Sequence, residues 1–442
     1  MHLIRLLALV ALLALTVAQP ARAIGLLRDP DIEYALRQLA APLLAQAGLG
    51  SAGVEILVVD DNSLNAFVVD RNAIFLNAGL IQRMENPAML QSVIAHEAAH
   101  IANGHLMRRP VNMRNARTAA GIGSILAGAA AVAAGSGKAA GAAALGAQTS
   151  AQRLFFTHTR AEENAADQSG LRYMAGAGID TQGALQVLDI FRGQEVLSAG
   201  RQDPYARTHP LGSDRYRVVQ RLAEAYGDRA RDDPAARYWF FRAKGKLSAF
   251  QRAPKWTLTR AGESGHPDIK AMREAVAWHR RSDLRRALPL IDTALSHRPE
   301  DPFYHELKGQ ILMESRQFAA AANAYGRAAQ LAPRNALILG AYGRALLAQG
   351  QTGKALQYLQ RAHQRDGRDA RVLRDLAAAH AKSGNRGLAS VVTAERYALQ
   401  GRWTDAGIHA ERASGLMPRG SGGWQRAQDV LAATRRAAQQ NK

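Results

Sequence analysis

Hydrophobic positions change rhythm along the chain. Between residues 54 and 77 they come in short β-branched or aromatic runs. Residues 54–59 are apolar apart from Glu55 and end at Asp60-Asp61-Asn62; residues 66–69 and 73–76 flank Asp70-Arg71-Asn72. Short runs bounded by turn residues predict two or three strands of a small antiparallel sheet. Beyond them the spacing turns helical, over about 87–104 and again over 159–174. From about His266 onward the pattern is helical throughout.

That second half repeats every 34 residues. Small residues recur at Ala275, Gly309, Gly343 and Ala377, alanines at Ala287, Ala321, Ala355 and Ala389, and a third row at Ala294, Ala328 and Ala362. Helix stops recur at Pro299, Pro333 and Gly367. Small residues at fixed offsets let paired antiparallel helices approach closely, and this period is the tetratricopeptide pattern. Arg396 breaks the third row, and the pattern resumes half a period later with Ala394, Ala406, Ala413 and Pro418. The break predicts an extra or irregular helix there. The expected fold class is α+β: a mostly helical domain with a small antiparallel sheet over 24–250, then an all-α tetratricopeptide solenoid over 266–438.

The first 23 residues read as an export signal. Arg5 precedes an apolar run, residues 6–18, too short to span a bilayer, and Ala21-Arg22-Ala23 fits cleavage after Ala23. A periplasmic location follows as the expectation. Residues 118–148 are nearly all small and apolar, with Lys138 the only charge. They predict a lid over an active site or a segment dipping into a membrane surface; the glycines and the lack of bulky side chains favour the lid.

Composition narrows the chemistry. The chain has 442 residues, 47% hydrophobic and 21% charged, which excludes intrinsic disorder and allows two to four domains. With no cysteine there is no disulfide scaffold, thiolate metal site or Cys nucleophile. A metal must be held by histidines and carboxylates. Lys plus Arg number 57 against 37 acidic residues, a net charge of +20. Export argues against nucleic acid as the partner of that charge; anionic head groups or acidic proteins suit it, and so does a plain compositional bias.

The candidate chemistry lies at residues 91–105, QSVIAHEAAHIANGH. On a helix His96 and His100 leave one face a turn apart, which suits two corners of a tetrahedral metal, and Glu97 projects beside them as a general base. A third ligand, carboxylate or His, belongs on a neighbouring element. Residues 159–170 read TRAEENAADQSG. HEAAH followed by ENAAD resembles the M48 family of gluzincin metallopeptidases. Thr208-His209-Pro210 with Arg215, and Asn65-Ala66-Phe67, resemble further segments of that family, so the likeness covers about 54–215. Ala165 departs from the Glu the family often has there, without touching a ligand position.

The resemblance implies a gluzincin domain with one Zn2+ held by His96, His100 and Glu163. It implies Asp167, one turn on, as the group that orients a ligating imidazole. Glu162 competes for the ligand role but lies about 100° round the helix. For His209 and Arg215 three roles stay open: stabilising the transition state, control with His209 as a fourth ligand, or capping a turn. His105 reads as a packing or supporting residue. With the leader and the repeats, the arrangement resembles M48 proteases that serve outer-membrane β-barrel assembly. This implies a periplasmic zinc endopeptidase in quality control of such proteins. Its partners would be unfolded or misassembled polypeptides and the assembly machinery, with peripheral membrane contact and no nucleic acid. The alternative is a chaperone or adaptor scaffold with little proteolysis.

Overall fold

The computed structural model describes residues 25–105, 159–198 and 201–440; the leader and the 118–148 segment fall outside them. The chain forms two units, Leu26–Arg365 and a second from Asp366 onward.

In the first unit β1 (Leu26–Leu27) leads into α1 (Pro30–Gln46). Asp29 caps α1 by accepting from the backbone N–H of Asp31 and Ile32, and Pro30 supplies the preset first turn. Three strands follow: β2 (Glu55–Val59), β3 (Ala66–Asp70) and β4 (Ala73–Asn77). The sheet order is β1-β2-β4-β3, with β2 and β4 parallel and the other two pairings antiparallel. The sheet is therefore mixed and four-stranded, where the apolar runs predicted two or three antiparallel strands. The reason is the connection at 60–65, which carries the chain past the place β4 will take. It is pinned there by Gly79, whose amide donates to Asp61 O at 3.0 Å. A Cβ at Gly79 would sit 2.0 Å from Asn62 O, so only glycine permits this approach. Strand runs carry no record of such a crossing.

After α2 (Ala78–Arg83) comes α3 (Pro87–Ala102), the helix of HEAAH. Asn86 caps it at the Met89 amide, and Gly104, at φ 69°, follows its end. This helix is buried on nearly all sides, packing against α1, β3, α4 (Arg160–Gly176) and α5 (Gln182–Phe191). A Cβ at Gly170 of α4 would lie 3.3 Å from the backbone of Ala95 and His96, so α4 and α3 cross closely where the candidate ligands sit. The short α6 (Pro204–Thr208) and α7 (Ser213–Tyr226) close this side of the site.

Helix α8 (Pro234–Gln251) packs against both α1 and the repeats, and α9 (Pro254–Arg260) follows it. The repeat helices in this unit are α10 (Pro267–His279), α11 (Leu284–His297), α12 (Pro302–Glu314), α13 (Phe318–Leu331), α14 (Ala336–Ala348) and α15 (Thr352–Arg365). They pair α10 with α11, α12 with α13 and α14 with α15. The small residues explain the spacing: Ala275, Ala287, Ala294, Ala321, Ala328, Ala355 and Ala362 are fully buried, Gly309 faces the Tyr325 ring and Gly343 faces Leu359.

The second unit contains α16 (Ala370–Lys382), α17 (Arg386–Leu399), α18 (Trp403–Leu416) and α19 (Gly422–Gln440). No extra or irregular helix marks the register break: α17 and α18 are regular 14-residue helices joined at Gly401, φ 69°. Of the shifted alanines, Ala394 and Ala406 share a core with Ala410 and Val430, and Ala413 packs with Val391 and Ala427. Among the described residues no helix is long and apolar enough to cross a membrane.

Candidate metal centre

The α3–α4 crossing brings His96, His100 and Glu163 together, and the turn after α6 adds His209. One ligand-type atom from each of the four lies within 4.8 Å of the others, and all four residues are buried. His96 Nε2 and His100 Nε2 are 3.0 Å apart. Glu163 places Oε2 3.4 Å from His96 Nε2 and Oε1 3.3 Å from His100 Nε2. His209 Nδ1 lies 3.2 Å from His96 Nε2 and 3.0 Å from Glu163 Oε1. Two ring nitrogens at such a separation need a proton or a cation between them. The spacings match the edge of about 3.3 Å expected for a tetrahedron with bonds near 2.0–2.1 Å, and imidazole with carboxylate is a zinc donor set. The residues present fit the ion.

Other groups hold these four in place. Asp167 Oδ1 lies 3.0 Å from His96 Nδ1, and His105 Nδ1 lies 2.9 Å from His100 Nδ1. Arg215, 6% exposed, reaches Glu163 Oε2 at 2.7 Å and donates to both Asp167 oxygens at 2.5 and 2.9 Å. It also donates to the carbonyls of His209 and Pro210. Glu97 is fully buried, and its Oε1 is 3.4 Å from His209 Nε2. Glu162 is turned to the start of α4, where Thr159 and Glu162 form a reciprocal capping box, which separates it from the ligand cluster.

Burial is the largest influence on the titration here, and the charged partners overturn it at His96, Glu163 and Asp167 but not at His100. It pulls His96 down, but Glu163 and Asp167 outweigh it and hold that imidazole up at about 10. For His100 burial prevails and the imidazole stays well below its ordinary range. Burial would raise Glu163, yet His209, Arg215 and His96 hold it well below the usual carboxylate range. Arg215 does the same for Asp167 against its burial.

Tyr205 had no marker in the sequence. Its ring lies 4.5 Å from the His209 ring, and its amide donates to Leu64 O at 3.1 Å, tying α6 to the segment before β3. The only cue is an aromatic one helical turn before His209. Beside the cluster, a cavity of about 30 Å3 lined by His96, Asp167, Tyr205 and Arg215 has room for a single water.

Residues 27–223 match peptidase family M48, and 279–336 and 306–370 match the tetratricopeptide repeat. The chain carries a peptidase family M48 domain followed by tetratricopeptide repeats. It is 27% identical over 302 residues to a Vibrio cholerae protein provisionally named a beta-barrel assembly-enhancing protease, covering 63% of this chain and 58% of that one. It is 25% identical over 190 residues to the beta-barrel assembly-enhancing protease of Escherichia coli, covering 43% and 38%. The chain thus spans between about four- and six-tenths of the length of these curated relatives. Among solved structures, MamA is similar at 16% identity and a TM-score of 0.32, over 38% of this chain and 98% of that one.

Proposed function

We propose that the chain is a zinc-dependent endopeptidase of the periplasm. It would act in quality control and assembly of outer-membrane β-barrel proteins, with residues 24–250 as the peptidase domain and residues 266–438 recruiting substrate or assembly machinery. The supporting observation is the convergence of His96, His100 and Glu163 from two crossing helices, beside Glu97, in a chain whose relatives are named as proteases.

His96, His100 and Glu163 would hold the ion. Zinc bound there supplies a Lewis acid that activates a water and polarises the scissile carbonyl. Glu97 takes the proton of the attacking water and passes it to the leaving amine. Asp167 and His105 engage the outward Nδ1 atoms of His96 and His100, which turns both Nε2 atoms to the cluster. Arg215 holds Glu163 and Asp167 at their stations. β3 is an edge of the described sheet with Val69 62% exposed, so an extended substrate can pair along it.

His209 Nδ1 stands at the fourth corner of the cluster and its Nε2 faces Glu97. This favours control over assistance: His209 fills the place a water needs, and withdrawal of the 204–212 segment uncovers it. The same closure supports the second reading, a chaperone that holds polypeptide and rarely cleaves. The test is hydrolysis of an unfolded protein by the purified chain. A chelator should abolish it, zinc should restore it, and Glu97→Gln should lower it by roughly 10²–10⁴-fold while retaining zinc. Zinc-loaded protein that binds but never cleaves, with His209→Ala also inert, selects the chaperone.

A further inference from the structure

Away from the metal centre, the unit Leu26–Arg365 carries a groove of about 840 Å3 where α1 and α8 meet the turns between repeat helices. Aromatic rings line it. Tyr34 lies 5.1 Å from Trp239 and 4.9 Å from Phe303; Phe303 is buried, while Tyr34 and Trp239 are half-buried and offer ring surface. Below them Arg242, fully buried, has its guanidinium 5.4 Å from the Trp239 ring and 5.8 Å from the Phe303 ring. That guanidinium is engaged by Asp31 at 2.7 Å and by Asp301 at 2.5 and 2.8 Å. A ring platform anchored by such a network is preorganised, so little ordering is lost when a ligand stacks on it.

The charges of the groove do not cancel. Asp301 is neutralised by Arg242, Arg298 pairs with Asp268 at 2.9 Å, and Glu300 lies 4.0 Å from Arg327. Arg37 and Arg334, both exposed groove residues, have no ion pair among the described residues. Two cations flanking an aromatic platform match a partner that alternates carboxylates with rings. We propose that this groove docks an extended acidic polypeptide segment bearing aromatic side chains. Its rings stack on Tyr34 and Trp239, and its carboxylates pair with Arg37 and Arg334. The chain's net charge of +20 draws such a segment in at long range. Docking needs no hydrolysis, so it stands apart from the peptidase reading.

The experiment is fluorescence anisotropy of a fluorescein-labelled alternating Asp-Tyr peptide with the full chain carrying Glu97→Gln. The double variant Arg37→Glu/Arg334→Glu should weaken binding by roughly tenfold or more. Arg221→Glu/Arg419→Glu, the same charge change on exposed arginines elsewhere, should change it by less than about twofold. Alternating Asp-Ala and Lys-Tyr peptides should bind about tenfold more weakly than Asp-Tyr. Equal losses in the two double variants, equal binding of the Lys-Tyr peptide, or no binding by the parent would overturn the proposal. So would self-association that disappears only in the groove variant, which makes a second copy the occupant. Phosphatidylglycerol vesicles that displace the peptide with the same arginine dependence would overturn it too. Circular dichroism melts of both double variants establish that these surface changes leave the fold intact.

Discussion

Arg215→Ala removes the cation on which the electrostatics of the metal centre turn. In the native fold the guanidinium meets Glu163 Oε2 at 2.7 Å and Asp167 at 2.5 and 2.9 Å, all of them buried. Burial alone would push both carboxyls up, and Arg215 is the leading group opposing it at Asp167 and, after His209, at Glu163. Truncation leaves two buried carboxylates short of a cation, a loss of about 3–5 kcal/mol. At about 1.4 °C per kcal/mol for a unit spanning Leu26–Arg365, the melting temperature should fall by roughly 4–7 °C. The melt is run with chelator and with excess zinc; because a weaker site is stabilised less by the ion, the deficit should be larger in zinc. Zinc affinity, measured by competition with a chromophoric chelator, should drop about 10–100-fold, because Glu163 and the Asp167–His96 pair lose their support. Arg215→Lys restores the charge but cannot span two carboxylates as a fork, so it should recover only part of the loss. A variant that melts within a degree or two of the parent and binds zinc equally well would refute this account of Arg215.

Three further outcomes follow from the geometry. His209→Ala should raise turnover of an unfolded substrate by clearing the fourth corner; lower turnover would mean that His209 assists the chemistry. His105→Ala should weaken zinc binding by about 10–100-fold with HEAAH intact, since His100 loses its Nδ1 partner at 2.9 Å, whereas unchanged affinity would make His105 a packing residue. At Asp268 burial pushes the carboxyl up, but hydrogen bonds from Tyr238 and Tyr304 and the charge of Arg298 hold it below its ordinary range. A carboxyl lowered by folding contributes stability above its unfolded pKa of about 3.9 and loses it as pH falls through the folded value. Asp268→Asn should therefore destabilise most near neutral pH, with the gap to the parent narrowing in acid; a gap constant across a pH series of melts would assign the loss to shape.

Much of this molecule is legible in its sequence because the signals are local or periodic. The helices of HEAAH and ENAAD declare themselves through helical spacing, and the repeats through small residues that must be small wherever two helices touch. Which residues offer nitrogen or oxygen donors is equally a property of the chain, and with no cysteine it narrows any metal site to histidine and carboxylate. Other features depend on where distant segments meet. The parallel pairing of β2 with β4 depends on a crossing loop and one glycine contact, and the regular course of α17 into α18 on how shifted alanines repack. Arg215 shows this most clearly. Its own turn says nothing of two carboxylates about 50 residues earlier, and only the close crossing of α3 and α4, with α7 folded over them, makes one guanidinium the partner of both. His209 belongs to the same group: its type is written in the chain, but its station between Glu97 and Glu163 arises from the packing of α6 against the segment before β3. Periodicity and donor chemistry are carried by neighbours in sequence; proximity, burial and the charge balance they impose exist only once the chain has closed on itself.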